Sequence, residues 1–191
     1  MTKNKAKKMW SDKDLKSVLK SGGVAVMPTD TIYGVVGQAL REETVKRIFK
    51  IKKRAAKKPC IVLIGERNEL KKFGINLTRA EEKEIKKLWS KPASIVLDCT
   101  HKKFSYLHRG TKTLAFRLPA SKKFRDFLKS TGPLVAPSAN PEGLPPARSI
   151  REARKYFGSN IDFYADGGTR RGKPSKIVRL YKNGSRTIIR E

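Results

Sequence analysis

The sequence predicts an α/β fold, a single domain in which a twisted, mostly mixed β-sheet is flanked by helices. Short apolar runs of strand length alternate with segments of helical periodicity along the whole chain. The 191 residues suit one domain. No internal repeat and no Gly/Ser/Pro-rich linker divides them, and interleaved strands and helices build a layered sheet more readily than a bundle or a sandwich.

The elements follow in order. A basic tail is expected over residues 1–10 and a folded domain over 11–191. Ser11 opens an amphipathic segment with Leu15, Val18 and Leu19 on one face, and Gly22-Gly23 stops it. A strand is expected from Val24 to Met27, broken by Pro28-Thr29-Asp30-Thr31; after Gly37 a helix carries Val45, Ile48 and Phe49 at helical spacing to about Lys53. Cys60 to Ile64 reads as a strand, and Thr78 with Glu81 forms a capping-box pattern before a helix ending near Trp89. Strands are predicted at Ser94–Asp98 and Leu114–Leu118, a short helix at Ser121–Lys129, and a strand at Leu134–Ala136. Ser149 with Glu152 is a second capping box, Ile161–Ala165 is strand-like, and Asn183-Gly184 between Lys176–Lys182 and Ser185–Arg190 predicts a hairpin.

Composition bounds the function. The apolar runs are four residues long, as at Ile61–Ile64, far short of the roughly 20 that span a bilayer, so no membrane-spanning helix is expected. The charged N-terminus leads into Ser11-Asp12-Lys13-Asp14 instead of an apolar stretch, which argues against a secretory signal and for a cytoplasmic protein. Cys60 and Cys99 lie far apart in sequence, and His101 and His108 are the only histidines, so no zinc spacing exists. The cysteines read as buried free thiols and the histidines as solvated surface residues.

Against 17 acidic residues stand 45 basic ones, a formal charge of +28. Such a charge attracts polyanions by counterion release, so contact with tRNA or double-stranded RNA is an expectation alongside a merely basic surface. Eight cations and no acid lie between Lys46 and Lys58. That cluster runs into a predicted strand, where some cations can face a cleft.

Three segments carry more chemistry than a scaffold needs: Pro28-Thr29-Asp30-Thr31-Ile32-Tyr33-Gly34, Lys52-Lys53-Arg54, and Pro137-Ser138-Ala139-Asn140. If the chain leaves its helix extended, Lys52 and Arg54 share one side and face one cavity, a point charge and a fork for phosphate. Ser138 and Asn140 share the same spacing and offer short neutral hydrogen-bonding groups. Asp30 fits a turn cap or a residue shaping the site; Tyr33 fits core packing as well as the site, and Thr113 fits an ordinary strand residue.

In combination, the Pro-Thr-Asp-Thr-Ile-Tyr-Gly, Lys-x-Arg and Ser-x-Asn segments resemble the YrdC-type threonylcarbamoyl-AMP synthases, in the short, single-domain form. The resemblance extends through Leu114-Ala115-Phe116-Arg117 and Pro174-Ser175-Lys176-Ile177-Val178. It implies a fold with an open basic cavity and a nucleotidyltransferase activity. L-threonine, bicarbonate or CO2, and ATP would give threonylcarbamoyl-AMP and pyrophosphate, for N6-threonylcarbamoyladenosine formation at position 37 of tRNA. A separate threonylcarbamoyl transferase complex would take the product onward. The resemblance places Lys52, Arg54, Ser138 and Asn140 at the phosphate and carbamate region. It places Arg54, Lys58, Thr113, Ser138 and Arg190 near ATP, and Thr31, Arg117 and Ser175 around threonine. Mg2+ is expected on the phosphates, held mostly by phosphate and water, with no resident protein metal site. No nucleophilic side chain is expected; catalysis would rest on position and charge.

Two positions depart from the family pattern. Lys91, in Trp89-Ser90-Lys91-Pro92, stands where a Gly would permit positive φ, and Arg179 stands where an acidic residue is customary. The competing reading is a double-stranded RNA or ribosome-binding protein of the same fold without synthase activity. A carbamoyl-transfer relative of the hydrogenase-maturation type is disfavoured, since those domains sit in much longer chains.

Overall fold

Local caps and periodicity set most of the elements. Asp12, one residue past the expected start, caps helix α1 (Lys13–Lys20) by accepting from the backbone N–H groups of Asp14 and Leu15, and Leu15 and Leu19 form its buried stripe. Gly22, at φ 93°, turns the chain into strand β1 (Ala25–Pro28). The computed structural model describes residues 9–53 and 60–191. Packing begins before residue 11: Met9 is buried, and Trp10 stacks on Phe124 with centroids 4.7 Å apart, so these two side chains of the expected tail belong to the folded body.

Strand β2 (Tyr33–Gln38) answers the first in an antiparallel hairpin, where the sequence reading had no strand between the break at Pro28–Thr31 and the helix after Gly37. The glycine is there for proximity. A Cβ at Gly37 would lie 2.5 Å from Thr44 and 3.0 Å from Ile48, both on helix α2 (Glu42–Ile51), which packs directly on the strand. Arg41, before α2, donates to the carbonyls of Lys20 and Ser21 at the end of α1, satisfying orphan acceptors there.

The exit from α2 corrects the extended-backbone expectation. Lys52 keeps right-handed helical angles (φ −81°, ψ −6°), and Lys53 turns left-handed at φ 49°, so the two-residue alternation never starts. Arg54 and Lys58 lie outside the described residues.

Strand β3 (Ile61–Leu63) is followed by a 3-10 helix (Arg67–Phe73) and helix α3 (Arg79–Leu88), whose Thr78/Glu81 capping box is complete. The turn into β4 (Ala93–Asp98) closes with Ala93 N–H donating to Lys91 O at 2.7 Å; Lys91 is not at positive φ, so the turn does not need the customary Gly. A short helix α4 (Ser105–His108) precedes β5 (Thr113–Arg117), then α5 (Lys122–Thr131) and β6 (Leu134–Val135). Ser149 caps α6 (Ile150–Phe157), but the Glu152 carboxylate accepts from Arg148 N–H, one residue earlier than a full box requires. β7 (Phe163–Tyr164) leads to the hairpin of β8 (Lys176–Leu180) and β9 (Arg186–Arg190), where Gly184 takes positive φ and Asn183 Oδ1 holds Ser185.

The strands form one mixed sheet in the order β7-β1-β2-β6-β3-β5-β4-β8-β9. Strand alternation separates two cores. Val24, Val26, Val35, Val62, Val135, Leu114, Phe116, Ile95 and Leu97 point to one face, packed by α2, α3 and α6. Ala25, Met27, Val36, Leu63 and Leu134 point to the other, against Leu15 and Leu19 of α1 and Phe124, Phe127 and Leu128 of α5. Cys60 and Cys99 are buried, as expected, and are not joined in a disulfide, and burial pushes the Cys99 thiol up. His108, expected at the surface, is buried instead; its Nδ1 accepts from Gly110 N–H in the tight turn after α4.

Candidate active site

On the second face the helical cover ends, and the remaining sheet surface is the floor of a cavity of about 590 Å³. Period-two alternation explains the floor. Thr113, Ala115 and Arg117 line it from β5, and Ile61 and Leu63, in parallel register with Ala115 and Arg117, line it from β3. Val96 and Ile177 extend it across β4 and β8. At the far edge both Ile189 and Arg190 line the cavity, although neighbours on a regular strand face opposite ways. A register shift between β8 and β9, opposite Ile177 and Val178, reconciles the two.

The walls are loops. Thr29, Thr31 and Ile32 come from the β1–β2 turn, Pro137 and Ser138 from the end of β6, and Pro174 and Ser175 from the approach to β8. The β1–β2 turn is internally bonded, Thr29 Oγ1 donating to Ile32 O at 2.8 Å and lying 3.2 Å from Thr31 Oγ1. It is also braced from outside: Tyr33 donates its hydroxyl to Gly168 O and accepts from Gly167 N–H. A Cβ at Gly167 would strike Pro28 at 2.3 Å, and one at Gly172 would strike Thr31 O at 2.4 Å, so only glycine permits this approach. Tyr33 is thus both core and brace, and burial raises its pKa.

Six of the sequence-predicted site residues line this one cavity: Thr31, Thr113, Arg117, Ser138, Ser175 and Arg190. Lys52 and Asn140 do not. Lys52 is 2% exposed, and its ammonium donates to the carbonyl oxygens of both Ser138 and Asn140. Asn140 accepts from Ser138 Oγ at 2.6 Å and donates to Pro141 O and Leu144 O. Together they tie the loop that carries Ser138 to the cavity.

Among the described residues, the charged groups that line the cavity are two arginines. Arg117, 3% exposed, donates through Nε (3.2 Å) and Nη2 (2.7 Å) to Asp30 Oδ2. Arg190 donates through Nε (3.2 Å) and Nη2 (2.7 Å) to Ser175 O. Burial, and then the like charge of Arg117, lowers the Arg190 pKa. Ser175 Oγ lies 2.8 Å from Ser94 Oγ, both buried. Sequence reasoning missed Ser94 and left Asp30 open; the even spacing of Ser94, Val96 and Asp98 on β4 was the available signal for Ser94. Arg179, the departure on β8, pairs with Asp98, so its charge is answered across the sheet.

Among the described residues no carboxylate lines the cavity, and Asp30, which reaches it through Arg117, is already paired. Among the described residues no group of three or more His, Cys, Asp or Glu is placed to hold a metal ion. The donor set does not fit a protein-held Mg2+. No helix among the described residues is long and apolar enough to cross a membrane.

A mixed nine-stranded sheet with hydroxyls and two arginines gathered on its open face defines the class. The chain belongs to the Sua5/YciO/YrdC family, whose model, described as telomere recombination, matches residues 17–191. A threonylcarbamoyl-AMP synthase of Pyrococcus abyssi is 31% identical over 173 residues, 90% of this chain and 51% of that protein. Another, of Marinobacter nauticus, is 31% identical over 163 residues, 83% of this chain and 85% of that protein. The crystal structure of P. abyssi Sua5 complexed with L-threonine superposes with a TM-score of 0.84 at 29% identity, covering 95% of this chain and 54% of that one. The chain therefore spans about half the length of the Pyrococcus relative and most of the Marinobacter one.

Proposed function

We propose that this protein is a threonylcarbamoyl-AMP synthase, a nucleotidyltransferase that joins L-threonine, bicarbonate or CO2, and ATP. The observation that carries it is the convergence of Thr31, Thr113, Arg117, Ser138, Ser175 and Arg190, from distant parts of the chain, on one cavity. Relatives of that name, similar over most of the chain, support it.

The reaction suits such a lining. The threonine amine captures CO2 as a carbamate, losing a proton; from bicarbonate, water leaves as well. A carbamate oxygen then attacks the α-phosphorus of ATP, the bond to the β-phosphate oxygen breaks, and pyrophosphate departs. One anion approaches another, so the barrier is electrostatic and preorganised cations lower it. Arg117 takes the threonine carboxylate through its planar fork, and Thr31 and Ser175 offer hydroxyls beside it. Arg190, Thr113 and Ser138 are assigned to ATP, as are Arg54 and Lys58. Lys52 and Asn140 act at one remove, holding the Ser138 loop in place. The convergent lining turns binding into orientation. Mg2+ would arrive on the nucleotide, with phosphate and water as its ligands.

Further proposals follow from the activity. The product serves N6-threonylcarbamoyladenosine formation in tRNA through a downstream transferase complex, in the cytoplasm. The charge of +28 supports RNA contact at the surface.

The test is pyrophosphate release from ATP, Mg2+ and bicarbonate, with L-threonine, with L-serine, and with neither. Threonine-dependent release is expected. Release in none of the three, from folded protein that binds RNA with a steep salt dependence, refutes the synthase reading and favours the RNA-binding one.

A further inference from the structure

Arg117 and Arg190 are anchored alike. Each spends its side edge, Nε–H and one Nη2–H, on a single protein oxygen: Asp30 Oδ2 for Arg117 and Ser175 O for Arg190. A guanidinium has five N–H donors, so each keeps its end edge, Nη1 and the second Nη2–H, and among the described residues no protein acceptor meets it. That end edge is the geometry that takes a carboxylate or phosphate in two parallel bonds.

The two anchors differ in one respect. Ser175 O is neutral, whereas Asp30 is charged. Buried Arg117 and the more exposed Arg190 line one cavity, where the charge of Arg117 helps lower the Arg190 pKa, and Asp30 is the one carboxylate that touches either of them among the described residues. Its placement is fixed from several sides. The turn that carries it is bonded internally through Thr29, and is held by Tyr33 against Gly167 and Gly168 and by Thr31 against Gly172. A carboxylate carried on a turn so braced can act as a template for the arginine.

We propose that Asp30 is a positioning residue for threonine binding: it fixes Arg117 by its side edge, aims the end edge at the substrate carboxylate, and offsets the repulsion between the two cavity arginines. The proposal rests on the assignment of Arg117 to the threonine carboxylate. Asp30 itself contacts no substrate. Losing it leaves Arg117 charged but unaimed, so the effect falls on the amino acid and not on the nucleotide.

The experiment compares Asp30→Asn, Arg117→Met and the double variant in threonine-dependent pyrophosphate release, with thermal unfolding alongside. Asp30→Asn is expected to raise the threonine KM about tenfold to a hundredfold, the worth of one strong charge-assisted interaction. The ATP KM should change less than about twofold. In the Arg117→Met background Asp30→Asn should add almost nothing to the threonine KM, because it acts through that arginine. If Asp30→Asn fails to fold, Asp30→Glu keeps the charge, displaces it by one methylene and is expected to give an intermediate rise. If Arg117→Met leaves the threonine KM unchanged, the assignment of Arg117 fails. If Arg117→Met raises it and Asp30→Asn does not, or raises both KM values equally, the positioning role alone is overturned.

Discussion

Replacing Lys52 by Met distinguishes a substrate-binding lysine from one that holds a loop. The two side chains are similar in length, so packing is nearly conserved while the ammonium is lost. In the structure that ammonium donates to Ser138 O and Asn140 O from a site 2% exposed. Hydrogen bonds from a charged donor are worth about 1.5–3 kcal/mol each, and a buried carbonyl left without a donor costs about 1–3 kcal/mol. Relief of the buried charge offsets part of this. A net loss of about 3 kcal/mol follows, and at about 2–4 °C per kcal/mol for a chain of this size the melting temperature should fall by about 6–12 °C. Threonine-dependent turnover should fall with it, because Ser138 is no longer held at the cavity, and amides of the 138–144 loop should exchange faster. Thermal unfolding, hydrogen exchange and pyrophosphate release give the three readings. A variant that melts within 2 °C of the parent, with unchanged exchange yet no activity, would refute the reasoning and make Lys52 a direct ligand.

Other substitutions test the frame around the site. Gly172→Ala places a methyl 2.4 Å from Thr31 O, so the turn or the 166–175 segment must shift; overpacking of this kind costs about 1–3 kcal/mol, and the threonine KM should rise more than the ATP KM. Tyr33→Phe removes the hydroxyl between Gly167 N–H and Gly168 O and should destabilise the protein by about 1–3 kcal/mol, read by denaturant unfolding. Asp162 accepts from Arg47 and from Val24 N–H, and these contacts hold its carboxyl below the usual value of 3.8. A depressed folded-state pKa gives stability that is present above the unfolded value and lost as pH falls through the folded one. Asp162→Asn should therefore be the less stable protein at neutral pH, and the gap should close on acidification below about pH 4. A gap independent of pH would show that the carboxylate charge is not what holds β1 to the 160–162 segment.

How much was legible in the sequence follows from the range of the forces involved. The Thr78/Glu81 box, the Asn183-Gly184 turn and the stripes of α1 and α2 depend on neighbours within a few residues, and the sequence alone determined them. The motif residues were legible as a set through their resemblance to a family, and most of them do meet. What they do there was not. β2 was hidden because its start was read as part of the Pro28–Gly34 segment and Gly37 as the approach to a helix, while in the fold Gly34 and Gly37 are contact points for Pro137 and α2. Lys52 read as a free cation because nothing in Lys-x-Arg says that two carbonyls of a loop more than eighty residues away lie above it. Asp30 and Arg117, 87 residues apart, become partners only through the sheet order that brings the β1–β2 turn over the end of β5. Ile189 and Arg190 face one cavity only because the β8–β9 register slips. Periodicity and capping are local and are written in the chain; which charges pair, and which edge of an arginine is left for a substrate, is decided by contacts that form only once the sheet has closed its order.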